Sequence, residues 1–245
     1  MIATIEKDKF KRTNEIKTAA PMLDAIDLKG KLITADALLT QREFAKYLVE
    51  VRKAHYHFTV KANQKTLLQD IAYYFKIKKE PDFIEKAKLA HGRIEIRKIW
   101  VTESLNEYLN FPYIGQVFAI ERNVVNKKTG KTSQETIYGI TSKSIKQSSA
   151  DEVLKANRGH WCIESHHYII DWNFDEDRST IKTGYGPENC TRLRRFVIGI
   201  IKLKKLKKSV AQKMRELSWN KRLVFDYLFM TKNSLKSKIL EFRTN

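Results

Sequence analysis

The sequence predicts an α/β fold, and three observations lead to this prediction. Over residues 15–80, short apolar runs alternate with amphipathic helical segments, which is typical of a parallel βαβ unit. Residues 93–140 hold strand-like runs separated by turn-forming residues, as in antiparallel sheets. From residue 149 onward the apolar residues return to helical spacing. The chain is therefore expected to combine a parallel pair of strands, an antiparallel region and C-terminal helices.

The first part of the chain contains two predicted strands between three predicted helices. Helix, strand, helix, strand and helix are predicted, in chain order, over 15–26, 31–37, 41–53, 56–60 and 66–75. Open α/β sheets bind their ligands at the carboxyl ends of their strands. Asp36 stands at the end of the first predicted strand and is therefore a candidate site residue.

A mostly antiparallel insertion is predicted to follow. Its strands are expected over 93–102, 116–125 and 132–140, and the turn-rich residues 126–131 join the last two. The predicted organisation has four segments, which are a partial core over 1–80, the β-rich insertion over 81–145, a return to the core over 146–208 and a C-terminal helical segment over 209–245.

Helical sequence returns at Ser149, a predicted N-cap followed by two acids in the first turn. The pattern predicts that this helix continues through Asp171. A strongly basic helix is then expected over 188–208, with an inward-facing apolar stripe formed by Leu193, Phe196, Val197, Ile200, Ile201 and Leu203. A further helical segment is predicted over 210–230.

Composition points to a polyanionic partner. The chain of 245 residues has 47 Lys and Arg against 28 Asp and Glu, a formal net charge of +19 and a sequence pI near 9.8. Such an excess favours nucleic acid. The two cysteines imply no disulfide framework, and neither an apolar run of about 18 residues nor a signal-peptide pattern is present. We therefore expect a soluble, cytoplasmic, nucleoid-associated protein without a membrane partner.

The stretch from Arg158 to Arg178 concentrates ionisable side chains at helical spacing. Within it, His160, Glu164, His167 and Asp171 fall at i, i+4, i+7 and i+11, so one continuous helix would carry them on one face. Such a face suits a metal or acid/base site. The alternative is a solvated charged face beside an ordinary aromatic core stripe. A zinc hydrolase built on the histidines is disfavoured, because the chain lacks the H-E-x-x-H pattern.

Seven short motifs, in order, resemble one family over nearly the whole chain. These segments are T-N-E-I (13–16), L-I-T-A-D-A (32–37), V-K-A-N-Q-K (60–65), H-G-R-I-E-I-R (91–97), G-H-W-C-I-E (159–164), F-D-E-D-R (174–178) and G-P-E-N (186–189). With them the chain resembles bacterial insertion-sequence transposases of the DDE class, of the H-repeat-associated type.

The resemblance implies a ribonuclease-H-like core whose three carboxylates hold two Mg²⁺ or Mn²⁺ ions. Asp36 matches the second acid of the family and Glu164 the third. Hard divalent cations prefer oxygen ligands, and a metal pair clamps the attacking and leaving oxygens of a phosphodiester displacement. The implied partner is double-stranded DNA, both transposon ends and target. Water is the implied nucleophile in nicking, and a DNA 3′-hydroxyl in strand transfer.

The chain departs from the family at the first acid. That aspartate normally precedes Gly-Lys on the first core strand, and no Asp-Gly-Lys sequence occurs here. The core is therefore expected to be incomplete at its N-terminal side, as in the C-terminal part of a transposase, truncated or split. Two functions stay open: a metal-dependent transposase polypeptide, or a catalytically silent DNA-binding remnant. The second would compete for transposon ends or pair with another copy or a full-length transposase.

Several basic and polar residues are candidate DNA ligands. Lys61, Asn63 and Lys65 leave the second predicted strand beside Asp36, although a helix-start loop with solvated lysines explains them equally well. Asp171 stands seven residues after Glu164, where the wider superfamily has a lysine, and is a candidate additional acid. Phosphate contacts are then expected from other cations, namely Arg158, Arg178, Lys182, Arg194 and Arg195.

Overall fold

Helices and strands follow one another much as the sequence predicts. The computed structural model describes residues 15–78, 80–90, 92–203 and 208–231. In chain order the elements are α1 (Glu15–Leu23), β1 (Leu32–Ala35), a 3₁₀ turn (Ala37–Leu39), α2 (Arg42–Lys46) with a π-helical continuation (Tyr47–Val51), β2 (His55–Val60), a 3₁₀ turn (Ala62–Gln64), α3 (Lys65–Ile77), β3 (Phe83–Ala90), β4 (Arg93–Thr102), β5 (Gln116–Asn126), β6 (Thr132–Thr141), α4 (Ala150–His160), α5 (Cys162–Tyr168), a π-helical turn (Ile169–Asn173), α6 (Gly186–Leu203), α7 (Val210–Trp219) and α8 (Lys221–Tyr227). Thr13, Asn14 and His91 of the matched motifs lie outside the described residues, as do 204–207 of the predicted basic helix.

One six-stranded sheet has the order β1-β2-β6-β5-β4-β3. The first two strands are parallel, with Thr34 opposite His57. The strands of the predicted insertion are antiparallel, as expected, and continue the same sheet because β6 pairs with β2. The predicted α/β class is confirmed. Strand β3 was missed, because its charged residues and a bulge after Glu85 interrupt the alternation that marks a strand.

Both faces of the sheet carry an apolar core. Tyr56 and Phe58 of β2 pack with residues of α1, α2 and α3 on one face. On the other face Phe118 and Ile120 of β5 pack against Val153 and Leu154 of α4. Successive strand residues point to opposite faces, so adjacent positions of one strand serve different cores. Helix α4 is thereby held on the face opposite α3.

The chain divides into two compact units, residues 1–161 and 162–245. The first contains the sheet and helices α1 to α4. The second contains α5 to α8, where the buried apolar side chains include Ile170, Ile198 and Ile201. The four-segment division stays a prediction. Among the described residues, no helix combines the length and apolar character needed to cross a bilayer.

The predicted continuous helix through Asp171 is wrong. Helix α4 ends at His160, Trp161 forms a turn, and α5 begins at Cys162 and passes into a π-helical turn at Ile169. A π turn adds one residue per hydrogen-bonded ring, so spacing beyond it no longer follows the α-helical period. His160, Glu164 and Asp171 therefore do not share the face of one α-helix. Gly159, a weak helix former, stands where the helix ends.

The predicted inward stripe of α6 is also largely wrong. Leu193 and Phe196 are 64% and 61% exposed, whereas Ile198 and Ile201 are buried. The buried side of the helix also includes Arg194, whose side chain is only 19% exposed and forms an ion pair with Glu176. Apolar spacing alone left the choice of face open, because α6 has apolar residues on most of its circumference. The predicted segment 210–230 is likewise two helices, since Asn220 caps α8.

Gly139 of β6 lies where no side chain fits. A Cβ there would come within 2.1 Å of the Phe118 ring and 2.6 Å of the backbone oxygen of Phe58. We expect Gly139→Ala to lower the free energy of unfolding by about 3 kcal/mol, since overpacking a core typically costs about 1–3 kcal/mol and a backbone atom cannot yield. Urea unfolding measures the change. The matched control is Gly199→Ala in α6, which meets nothing within 4 Å and should stabilise by about 1 kcal/mol. Equal effects of the two substitutions would contradict the packing at Gly139.

Candidate functional site

Asp36 directly follows β1, at the carboxyl end of the parallel pair, as predicted. It occupies the N-cap position of the 3₁₀ turn Ala37–Leu39, yet its side chain makes no cap hydrogen bond. Its carboxylate is exposed and has no hydrogen bond or ion pair among the described residues. An aspartate at a strand end can also cap the helical turn that follows it, but Asp36 does not do so. A carboxylate without a partner at a strand end offers oxygen donors of the type that Mg²⁺ and Mn²⁺ prefer.

Side chains from the end of β2 hold the turn that carries Asp36. Thr40 is fully buried, and its Oγ1 donates to the backbone oxygen of Thr59 at 2.8 Å. The Asn63 side-chain amide donates to the backbone oxygen of Ala37. Gln64 Nε2 donates to the backbone oxygen of Thr40 at 2.8 Å. The loops that follow the two parallel strands thus form one hydrogen-bonded group at this edge of the sheet.

The lysines of the second loop are exposed beside that group. Lys61 precedes Asn63, and Lys65 begins α3. Neither ammonium group forms an ion pair within the part of the chain that the structure describes. Their predicted role as phosphate ligands stays a prediction. The same role is predicted for Asn63, but in the structure its side-chain amide nitrogen donates to the backbone oxygen of Ala37.

The last two turns of α4 bring polar side chains onto the sheet face that carries Thr34. His160 Nδ1 lies 3.3 Å from Thr34 Oγ1, and Asn157 Oδ1 lies 3.5 Å from His57 Nε2. Thr34 is opposite His57 in the parallel register and two residues before Asp36. Sequence reasoning missed His57 and Asn157. The available signal was a histidine inside an otherwise apolar strand, which packing explains as readily as function.

The environment of His57 in the folded protein favours its neutral form. Its ring is 2% exposed and stacks on Phe118 with 4.6 Å between ring centroids. Burial lowers the pKa of His57 to about 4, the Asn157 hydrogen bond opposes that shift, and His160 adds to it. Since Asn157 Oδ1 can only accept, the Nε2 of the neutral ring carries the proton and donates. The contact between His57 and Asn157 is therefore a polar one inside the otherwise apolar interface between α4 and the sheet.

Glu164 lies in the first turn of α5, within the second unit. Its side chain is exposed and has no hydrogen bond or ion pair among the described residues. Asp171 lies in the π-helical turn and is half-buried. Within the described ranges, no group of three or more His, Cys, Asp or Glu side chains converges as metal ligands would. The metal roles of Asp36 and Glu164, and the additional role of Asp171, stay predictions.

The other predicted DNA ligands differ in their exposure and in their ion pairs within the chain. Arg158 pairs with Glu85 of β3. Arg178 lies over the Trp172 ring at 5.6 Å and 3.6 Å from Asp175. Both Arg178 and Lys182 are exposed. Arg195 is half-buried beside the inward-facing Arg194. The DNA-binding roles of these residues stay predictions.

A model of the transposase DDE domain matches residues 5–186, a range that includes both Asp36 and Glu164. The chain belongs to the DDE transposase family. The resemblance inferred from the seven motifs is thereby confirmed, and the six-stranded α/β sheet is that of a ribonuclease-H-like domain.

Three relatives of this chain are proteins of Escherichia coli. It is 28% identical over 233 residues to the protein YbfL of strain K12, covering 90% of this chain and 60% of YbfL. It is 28% identical over 220 residues to YncI of O157:H7, whose name describes a transposase, covering 85% of this chain and 55% of YncI. It is 27% identical over 233 residues to YhhI of K12, named as an H-repeat-associated transposase, covering 90% and 60%. The chain thus spans little more than half the length of these relatives.

Proposed function

We propose that this chain acts on DNA as a polypeptide of an insertion-sequence transposase, with Asp36 and Glu164 as ligands of a divalent cation. The observation that carries the proposal is the unpartnered carboxylate of Asp36 at the carboxyl end of β1, within the range matched by the family model. In this chain Glu164 offers a second exposed carboxylate. Carboxylates are the donors that Mg²⁺ and Mn²⁺ take in phosphoryl-transfer sites.

The proposed division of work among the residues follows from their chemistry. When bound, a pair of divalent cations stabilises charge on the attacking and leaving oxygens of a phosphodiester. Asp36 and Glu164 are proposed to supply oxygen ligands, and Lys61 and Lys65 to bind backbone phosphates beside Asp36. Arg158, Arg178, Lys182, Arg194 and Arg195 are further proposed contributors to DNA binding. Transposon ends and target DNA are the proposed partners, which places the protein at the nucleoid.

Ligand number leads to a second candidate function. Two carboxylates would suffice to hold one cation together with water, whereas a pair of cations would need a third acidic ligand, and the sequence has no Asp-Gly-Lys segment to supply it. This observation favours a chain that binds DNA without cutting it. Such a chain would compete for transposon ends, or act with a second copy or a full-length transposase.

A cleavage assay tests the proposal. We expect the purified chain to bind a labelled duplex but to nick or join it, in Mg²⁺ or Mn²⁺, no more than the double variant Asp36→Ala, Glu164→Ala does. The reason is the missing bridging acid. Gel electrophoresis of the labelled duplex measures the products. Strong cleavage that the double variant abolishes would show that another acid completes the site, and Asp171→Asn would be the next variant to measure. Failure to bind DNA at low salt would contradict the whole proposal.

A further inference from the structure

We propose that Asn63 and Gln64 are positioning residues for Asp36, acting through the backbone of the turn that carries it. The inference rests on the proposed function, since it concerns the same metal ligand. It assigns to Asn63 a role other than the phosphate contact expected from its place between two lysines.

Hydrogen bonds across the two loops carry the inference. Asn63 donates its side-chain amide to the oxygen of Ala37, the residue next to Asp36. Gln64 donates to the oxygen of Thr40, where the same turn ends. Both ends of the Asp36 turn are therefore held by side chains that belong to the neighbouring strand's loop. The buried Thr40 completes the connection through its hydroxyl, which donates to Thr59 of β2.

The local helix does not use these side chains. Asn is among the strongest helix N-cap residues, and a polar side chain at the start of a helix ordinarily accepts from the first free backbone N–H groups. Gln64 occupies the N-cap position of α3 but makes no side-chain cap hydrogen bond. Asn63 lies in the preceding 3₁₀ turn and faces Ala37. Their amide groups are thus directed to the Asp36 turn and not to the helix they introduce.

The Asp36 carboxylate itself has no partner among the described residues, so its place depends on its backbone. The turn keeps internal bonds, from Leu39 N to Asp36 O at 3.2 Å and from Thr40 N to Ala37 O at 3.2 Å. These bonds shape the turn but do not tie it to β2. The connection to the adjacent loop comes from Thr40, Asn63 and Gln64. Loss of a group that orients a metal ligand typically weakens metal affinity by about 10- to 100-fold.

Two binding measurements on the full chain test the inference. Mn²⁺ binding is measured by electron paramagnetic resonance, and duplex DNA binding by fluorescence anisotropy at low salt. We expect Asn63→Ala and Gln64→Ala each to weaken Mn²⁺ binding by about 10-fold. DNA affinity should change less than twofold, and the melting temperature should stay near that of the wild type. Gln134→Ala is the matched control, since it removes an exposed side-chain amide on β6 that donates to Glu121, and it should leave both Mn²⁺ and DNA binding unchanged.

The variant Asp36→Asn distinguishes a failure of the proposed metal site from a failure of the proposed positioning role. If Asp36→Asn removes Mn²⁺ binding but neither Asn63→Ala nor Gln64→Ala alters it, the positioning role is wrong and the metal site stands. If Asp36→Asn leaves Mn²⁺ binding intact, the proposed metal site is wrong and the positioning role falls with it. Reduced DNA affinity of Asn63→Ala with unchanged Mn²⁺ affinity would identify Asn63 as a DNA ligand and overturn the inference. Should Asn63→Ala fail to fold, the Gln64→Ala result alone decides.

Discussion

Raising the NaCl concentration from about 50 to 200 mM should weaken binding of this chain to duplex DNA by about a thousandfold or more, as for proteins that make about 6–10 phosphate contacts. The physical basis is the formal net charge of +19. Each phosphate that a lysine or arginine neutralises releases condensed counterions, and salt opposes that release. Fluorescence anisotropy across a salt series measures the slope of log K against log salt concentration.

Lysine-to-alanine variants show which cations contribute to this slope. The double variant Lys61→Ala, Lys65→Ala should reduce the slope by about two, since each phosphate contact contributes about 0.9. Lys155 is the matched control, because it is exposed but already paired with Asp151 at 2.7 Å. We expect Lys155→Ala to alter the slope by less than one contact. An affinity that stays constant between low and moderate salt would refute electrostatic DNA binding, and equal slopes for all variants would remove Lys61 and Lys65 from the interface.

Lowering the pH from 7 to 4.5 should cost the first unit much of its stability through His57. Burial holds the pKa of His57 at about 4, against about 6.5 for an unfolded histidine. Between these values the unfolded chain binds a proton that the folded chain does not, so unfolding becomes more favourable as the pH falls. At about 1.4 kcal/mol per pKa unit, the destabilisation that His57 causes grows to about 3 kcal/mol near pH 4. It stays constant at lower pH.

Urea unfolding at pH 7 and at pH 4.5 measures this contribution. The double variant His57→Phe, Asn157→Leu removes both members of the buried pair, so its stability should depend much less on pH than that of the wild type. His55 contributes in the same direction, since burial and Lys143 lower its pKa, and it remains present in the variant. The exposed His167 is the control, and His167→Gln should keep the full dependence. Equal loss of stability in wild type and double variant would show that other groups govern it.

Local pattern was sufficient for most individual elements. The alternation of Tyr56 to Val60 and the polar turn after Val125 predicted strands that the structure confirms. The first strand was predicted over 31–37 from its apolar run and is observed over Leu32–Ala35, with Asp36 directly after it, because a strand and the acid at its end are contiguous in sequence. Strand β3 was not predictable by alternation, since in this edge strand the apolar Ile84 and Leu89 are exposed while the charged Glu85 is largely buried in ion pairs with arginines.

Contacts between distant segments decided what local pattern left open. Both faces of α6 carry apolar residues, and only packing placed Ile198 inward and Phe196 outward. A helix-capping role for Asp36 and a solvated-loop role for Asn63 were also compatible with the sequence. The hydrogen bond from Asn63 to Ala37 joins residues 26 positions apart, which no periodicity encodes.

The sequence by itself determined the family, the α/β class, the strong positive charge and the position of Asp36 at a strand end. These properties depend on composition or on residues close together in the chain. Only the tertiary structure decided that the antiparallel strands extend the β1-β2 sheet, that His57 is buried against Phe118 and Asn157, and that the Asp36 turn is tied to the loop after β2. Each of these needs a choice of partner among many residues of similar chemistry, and that choice is made by packing and by the pairing of buried polar groups.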